Sequence, residues 1–569
     1  MGEVVISDLA ARARPAEAVS STPRPGCWLS LPYEAEGFAG TMILGPTLES
    51  QAPEVSIPLP NLGVCEIRVG IYGSGEAPVW LHCAFGRQRG AKPWNRVCLR
   101  LSSEDYLDWL TPDAFGGGAG YDYISESLWK TADVNGQSLV LSPPRQEALR
   151  GFRTCVAYVR LVPVARAEAW PANAKRLVNY FDANFMGHFV RDAAEVRSRI
   201  LPLRESDAAI ALWCSSREDT CLYPTRVGNT LAYHGVPDVY PHWIGRDLQL
   251  MLSRGEDPLA VACGAAHAAG LRLFSSYRRL TCRLPPHTFP LHPDAMLVKR
   301  KDLWAVGADG RPAPHLSLAF PEVRQRVIAI LSEQASNYDI DGVHLFFSRG
   351  VPFMLFEKPF LDRFAERHGG LDPRYLAPDD ARVVETRGDI FVGFMRELRR
   401  GMDEAGKARG RRVEVALTVM NSLENSAWYG MDVARLAEER LVDMLLPFPC
   451  HYRPDGALTP ERVAAFAAVA KPRGIGLYPD CGYDYSMGKE PLEVRAARMY
   501  AAGADGLQVM QNGVRGEGSA IEGAVARRLG RVAELGQADS WRAHAARPVR
   551  VRAVAGMSLE QGVGLETCG

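Results

Sequence analysis

The chain has 569 residues, 47 % hydrophobic and 23 % charged, an ordinary globular composition that is too long for one hydrophobic core, so two domains are expected. Lys plus Arg and Asp plus Glu each number 66, which leaves no basic field for a polyphosphate backbone and argues against nucleic acid as a partner. The 12 cysteines are scattered, without a C-x-x-C pair or a zinc-ligand cluster, and read as buried free thiols in a reducing compartment.

The opening MGEVVISDLAARARPAEA lacks the apolar stretch of a signal peptide, and Ile6 stands where myristoylation requires Ser or Thr. No apolar run reaches membrane-spanning length. A cytoplasmic protein with no membrane partner is expected; homo-oligomerisation stays open. No metal site and no cofactor are expected, because the His and Cys residues never approach ligand spacing on a shared element.

Residues 27–163 alternate short β-type runs with Gly and Pro turn signals: CWLSLPY (27–33), VCEIRVGIYG (64–73), PVWLHCAFG (78–86), RVCLRLS (96–102), SESLWKTADV (125–134), SLVLS (138–142) and TCVAYVRLVP (154–163). Short strands at this spacing predict an antiparallel β-sandwich over 1–165, jelly-roll-like and a candidate carbohydrate-binding domain. VARAEAWPANA (164–174) reads as a linker.

From residue 175 the periodicity becomes strand, helix, strand. Eight apolar runs stand out: 176–183, 209–215, 271–277, 341–347, 413–419, 442–448, 474–480 and 506–511, with helical stretches such as PEVRQRVIAILSEQASN (321–337) and TPERVAAFAAVAKP (459–472) between them. That pattern predicts an α/β fold, a (β/α)8 barrel over 175–539, because helices must shield the outer wall of a parallel sheet. Residues 540–569, with VRVRAVAG, read as a β-type tail.

In such a barrel the active site lies at the C-terminal strand ends. Asp341, Asp443 and Asp505 open their strands and therefore read as structural turn residues. The strand exits offer Asp182, Trp213, Tyr223, Tyr277, Arg278, Arg349, Asn421, Asn425, Tyr429 and Gln511 as substrate-binding candidates. Acids, amides and aromatics together suit a carbohydrate substrate, whose hydroxyls need polar grips and whose C–H faces stack on rings. Glycosidic cleavage needs two carboxyl groups. Glu424, Glu357 and Asp480 follow strands five, four and seven and are the catalytic candidates; Phe353 and Phe356 beside Glu357 would desolvate its carboxyl and raise its pKa.

YDIDGVHLFFSRG, the preceding HLSLAFPEVRQRVIAIL and the later NSLENSAWYGMDVARLAEERLVDMLLPFP resemble the bacterial family-10-like glycoside hydrolase group of (β/α)8 proteins, over about residues 175–535. RGVPFMLFEKPF is similar to the arginine–proline–aromatic–Glu stretch of that group, which implies roles for Arg349 and Glu357. NSLEN is similar to its Glu-bearing strand-five segment, which implies a role for Glu424. Related barrels carry D-G-x-H-x-D in strand four. His344 matches the His and joins the substrate-binding candidates, whereas Phe346 occupies the acidic slot. The Asn-Glu pair that ends strand four in the large retaining-glycosidase clan is absent as well.

The leading expectation is a glycoside hydrolase. A carbohydrate-binding protein on a degenerate barrel is the second. The third is a phosphate-dependent lyase or isomerase, suggested only by QNGVRGEGSAIEG (511–523), where Gly and Arg before a helix could hold an anion.

Overall fold

The computed structural model describes residues 2–45, 52–72, 97–113, 115, 123–143, 155–167, 170–182, 190, 192–231, 243–279, 294–348, 350–450, 455–482, 490–510, 520–555 and 557–558. The chain divides into two compact units: Met1–Pro171 with Arg515–Arg527 and Gly536–Gly569, and Ala172–Val514 with Arg528–Leu535.

In the first unit, Val64–Tyr72 pairs antiparallel with both Tyr123–Asp133 and Cys155–Pro163. The late strand Ala546–Val554 joins Tyr123–Asp133 to Trp28–Ala35. A smaller sheet pairs Val55–Pro58 with Ser138–Ser142, then Val97–Leu101, then Asp108–Leu110. Alternation along these strands sends Ile67, Val69 and Ile71 of the larger sheet into one apolar cluster with Ile57, Leu99 and Leu139 of the smaller. The opposite face of the larger sheet carries Tyr33, Met42, Ile124, Tyr158 and Val551. There the buried Glu126 accepts from Tyr158 Oη, Arg160 Nε and Arg547 Nε, each at 2.7 Å, so that its charge is fully partnered. The run 78–86 lies outside the described residues.

Phe38–Leu44 is a strand that is not among the runs read from sequence, and it contains Gly40. The glycine serves close approach. A Cβ at Gly40 would lie 2.0 Å from Ser7 O, whose carbonyl accepts from Thr41 N at 3.0 Å.

Among its described residues the second unit has eight parallel strands: β1 Leu177–Phe181, β2 Ala208–Arg217, β3 Arg272–Arg278, β4 Gly342–Phe346, β5 Glu414–Val419, β6 Met444–Pro447, β7 Gly476–Leu477 and β8 Leu507–Met510. Each of β1 to β6 pairs with the next in chain order. Beyond β7 a parallel bridge joins Asp480 to Gln508, with Gln508 N donating to Pro479 O and Cys481 N to Gln508 O, both at 2.9 Å. β8 pairs in turn with β1, Val178 opposite Gln508 and Tyr180 opposite Met510.

Helices fill the connections: α1 Ala193–Ile200, α2 Trp243–Ser253, α3 Pro258–Ala268, α4 Pro321–Asn337, α5 Lys358–His368, α6 Ala381–Arg409, α7 Leu423–Trp428, α8 Val433–Glu438, α9 Pro460–Ala470 and α10 Leu492–Ala501. Side chains of Asp192, Asp257, Asp380, Ser422, Asp432 and Thr459 cap α1, α3, α6, α7, α8 and α9, satisfying backbone donors that a helix start leaves open.

At the N-terminal strand ends one device recurs. Asp341 accepts from Leu273 N at 2.8 Å, Asp443 from Val415 N at 2.8 Å and Asp505 from Leu477 N at 2.9 Å. Each carboxylate thereby fixes the start of the preceding strand, which is the structural work expected of an aspartate that opens a strand.

Candidate active site

Contacts between strands that are not neighbours show which side chains face the interior of the ring of pairings. The Tyr180 ring of β1 stacks on Phe346 of β4 at 4.7 Å and meets His344 edge-on at 5.7 Å. Phe346 in turn meets Phe448, just past β6, at 5.4 Å. Asp182, one residue beyond β1, is ion-paired with Arg278 at the end of β3, and the Arg278 guanidinium lies 5.8 Å from the Phe346 ring. Arg217, at the end of β2, is the register partner of Arg278. A bulge between Cys214 and Ser216 shifts the alternation so that both arginines end on the same face.

Burial opposes the charge on both arginines. It lowers Arg217 to about 10, with Arg278 adding to the shift. In Arg278 the same penalty is outweighed by the Asp182 carboxylate, and the pKa rises. Tyr180 is pushed well above its ordinary value of 10.0, chiefly by burial. His344 joins the layer beneath: Nδ1 is hydrogen-bonded to Ser276 Oγ at 2.8 Å and Nε2 to Thr418 Oγ1 at 2.7 Å. Burial lowers its pKa to about 3, so the ring is a neutral link between β3 and β5. The ring is fully buried and braces the interior between two strands.

The three carboxylates proposed for catalysis fall in three different environments. Asp480, three residues beyond β7 and bridged to Gln508, is 2 % exposed. It alternates with Cys481, whose thiol reaches Leu492 O of α10 at 3.9 Å, so Asp480 faces the interior with Tyr478. Glu357 is 1 % exposed and precedes α5. Its carboxylate accepts from Ser317 Oγ, from Val306 N at 3.2 Å and from Leu355 N at 3.0 Å. Burial raises its pKa, as the flanking aromatics led one to expect, against the opposing pull of these donors. The carboxylate ties three loop segments together. Glu424 is exposed in the first turn of α7. Helix phase turns its neighbours Asn425 and Ser426 inward and leaves Glu424 in solvent.

Other expected contacts are redirected too. Trp213 is the register partner of Phe181 and packs on it at 5.4 Å, on the face opposite Tyr180. Tyr277 donates to Glu218 at 2.9 Å and packs on Phe347, whose ring lies against Phe391 and Phe394 of α6. Tyr223 donates to Glu333 of α4 at 2.8 Å. All three rings are engaged in packing or hydrogen bonds within the second unit. Asn421 donates to Asp455 O and Ala457 O at 2.8 and 2.9 Å, and Asn425 donates to Asn421 Oδ1 at 2.9 Å; the amides fix a loop. Tyr429 is half-buried, 6.4 Å from Phe353. Arg349 and Gln511 lie outside the described residues.

Arg217 and Tyr180 were not singled out from sequence. Tyr180 sits in the middle of an apolar run, and Arg217 lies two residues past the run 209–215, on a face that depends on the bulge. Among the described residues no group of three or more His, Cys, Asp or Glu could hold a metal ion, and no helix is long and apolar enough to cross a membrane.

No protein-family model and no curated sequence matches the chain. Solved structures similar to it include α-L-fucosidase isoenzyme 2 from Paenibacillus thiaminolyticus, at TM-score 0.38 and 15 % identity over 64 % of this chain and 50 % of that one. The chain thus spans half the length of the fucosidase. The glycoside hydrolase domain of PgaB (BpsB) from Bordetella bronchiseptica is similar at TM-score 0.34 and 13 % identity, over 64 % of this chain and 97 % of that one. The CBM22-1–GH10 modules of endo-1,4-β-D-xylanase 10B from Clostridium thermocellum are similar at TM-score 0.27 and 10 % identity, over 84 % and 86 % respectively.

Proposed function

We propose that the chain is a glycoside hydrolase: a β-sandwich unit and a (β/α)8 barrel with its active site at the C-terminal strand ends. The observation that carries this reading is Asp480, a nearly fully buried carboxyl three residues beyond β7, bridged to Gln508 and facing the same interior as the Asp182–Arg278 pair. A carboxyl so placed can protonate a leaving glycosidic oxygen or attack an anomeric carbon. The Asp182–Arg278 pair supplies charged groups on the same interior face that can grip hydroxyls. Phe346 favours one competing reading: an aromatic ring fills the place where related barrels carry an acid, which suits a domain that binds sugar without cleaving it.

The test is turnover of a panel of aryl-glycosides. Asp480→Asn should lower kcat at least about 10²-fold while sugar binding survives, as loss of a catalytic carboxyl does. Glu424→Gln, altering only an exposed side chain, should leave kcat unchanged. If Asp480→Asn stays within about twofold of an active wild type, the chemistry lies elsewhere. If the wild type binds sugars and turns none over, the binding reading replaces the hydrolase.

A further inference from the structure

Where β8 meets the segment after β7, two polar side chains leave paired positions on one face. A parallel bridge sets Asp480 opposite Gln508, and the register is held on both sides, by Gln508 N donating to Pro479 O and Cys481 N to Gln508 O, each at 2.9 Å. Neighbouring strands lie about 4.8 Å apart, so the two side chains stand next to each other. Two residues earlier Tyr478 marks the same face: its ring fills the space that a Cβ at Gly506 would enter, 2.6 Å away. Gln508 is fully buried. Among the described residues its Nε2 reaches only Met510 Sδ, at 4.0 Å, and its Oε1 has no hydrogen-bond partner. A buried amide oxygen is rarely left without a donor. Tyr180 does not supply one, because it stands opposite Met510 and carries its ring across to Phe346.

We propose that Gln508 is a positioning residue for Asp480: the protonated Asp480 carboxyl donates to Gln508 Oε1, which makes Asp480 the general acid and not the nucleophile. This rests on the glycoside hydrolase reading of the same site and assigns the carboxyl one of its two possible roles. A hydrogen bond made only by the protonated form favours that form and holds the proton ready. Asp480 then gives its proton to the leaving oxygen as the anomeric C–O bond breaks. The carboxylate regains one from the incoming water, whose hydroxyl ends on the anomeric carbon. Other ionisable groups surround this wall. Toward the N-terminal strand ends, Tyr478 feels Arg272, Asp505, Glu414 and Arg176, of which Arg272 and Glu414 are ion-paired at 2.6 Å. On the helix side, Arg495 of α10 donates to Cys481 O at 2.9 Å and lies 3.7 Å from Glu490. Across the interior stand Arg217, the Asp182–Arg278 pair, the Tyr180 phenol and the neutral His344 ring.

The experiment follows the carboxyl C=O stretch of protonated Asp480 across pH by infrared difference spectroscopy of the full chain, the band being identified by its loss in Asp480→Asn. In wild type the midpoint should lie above the ordinary aspartate value of about 3.9. Gln508→Met keeps the volume and deletes the acceptor, so the midpoint should fall by about one pH unit, the effect of one hydrogen bond. Gln508→Glu places a second carboxyl beside the first, so the upper midpoint of the pair should rise. A merely structural glutamine would not produce shifts of opposite sign; thermal melts establish that each variant folds, and either variant alone carries the test. In the active enzyme the basic limb of kcat/KM should move with the midpoint. A wild-type midpoint at or below about 3.9 overturns the acid role. A midpoint that neither variant moves, or that both move the same way, overturns the role of Gln508. The expected shifts in a protein that turns over no aryl-glycoside leave the hydrogen bond standing and overturn the hydrolase reading.

Discussion

The loop tie at Glu357 makes a prediction whose size follows from its bonds. One carboxylate oxygen accepts from both Val306 N and Leu355 N, and the other accepts from Ser317 Oγ and, at 3.3 Å, from Leu355 N. Glu357→Ala removes every acceptor at once and leaves buried backbone donors open at about 1–3 kcal/mol each. With partial relaxation the net loss should be about 3 kcal/mol, or about 4 °C in the melting of the second unit. Glu357→Gln keeps one oxygen, which can face the two backbone N–H groups, while its amide nitrogen faces the Ser317 hydroxyl, so it should cost about 1 kcal/mol. Burial raises the Glu357 pKa above its ordinary value of 4.5. A carboxyl raised on folding contributes stability below the unfolded value that fades as pH climbs through the folded one. The deficit of Glu357→Gln relative to wild type should therefore be largest below about pH 4.5 and shrink toward neutrality. Differential scanning fluorimetry across pH measures this, and aryl-glycoside turnover runs alongside. An unchanged melting temperature for Glu357→Ala refutes the tie. Complete loss of turnover by a fully stable Glu357→Gln returns the residue to the catalytic machinery.

Two further outcomes follow from buried groups of the second unit. His344→Ala should cost about 2–4 kcal/mol, through a cavity and the unbonding of the buried Ser276 and Thr418 hydroxyls, and chemical denaturation measures it. In wild type the His344 ring should show no titration by NMR between about pH 5 and 8, since its pKa lies near 3; a midpoint near 6.5 would show that the ring reaches solvent. Burial raises Asp207 to about 6, against the opposing pull of Arg531. Its contribution to stability should be full below about pH 3.8 and lost as pH rises through 6, and Asp207→Asn should flatten that slope; identical pH profiles would sink the assignment.

The sequence alone determined the succession of elements in the second unit, because strand and helix differ in period and each run is long enough to show its own. It also separated the ends of the strands: Asp341, Asp443 and Asp505 open their strands, and each bonds a neighbouring strand's backbone N–H. Only the tertiary structure decided which side chains meet in the interior. Parallel strands are buried on both faces, so Trp213 and Tyr277 carry no hydrophobic contrast that would distinguish interior from helix side. The bulge at Cys214–Ser216 changes the phase of β2 and brings Arg217 beside Arg278, which alternation counted along the chain does not reveal. Glu424 follows its strand closely in sequence, but the Ser422 cap begins a helix there and the helical phase turns it to solvent. Glu357 is engaged by Ser317 and Val306, 40 and 51 positions away, and partners so distant along the chain are fixed by the fold, not by local pattern.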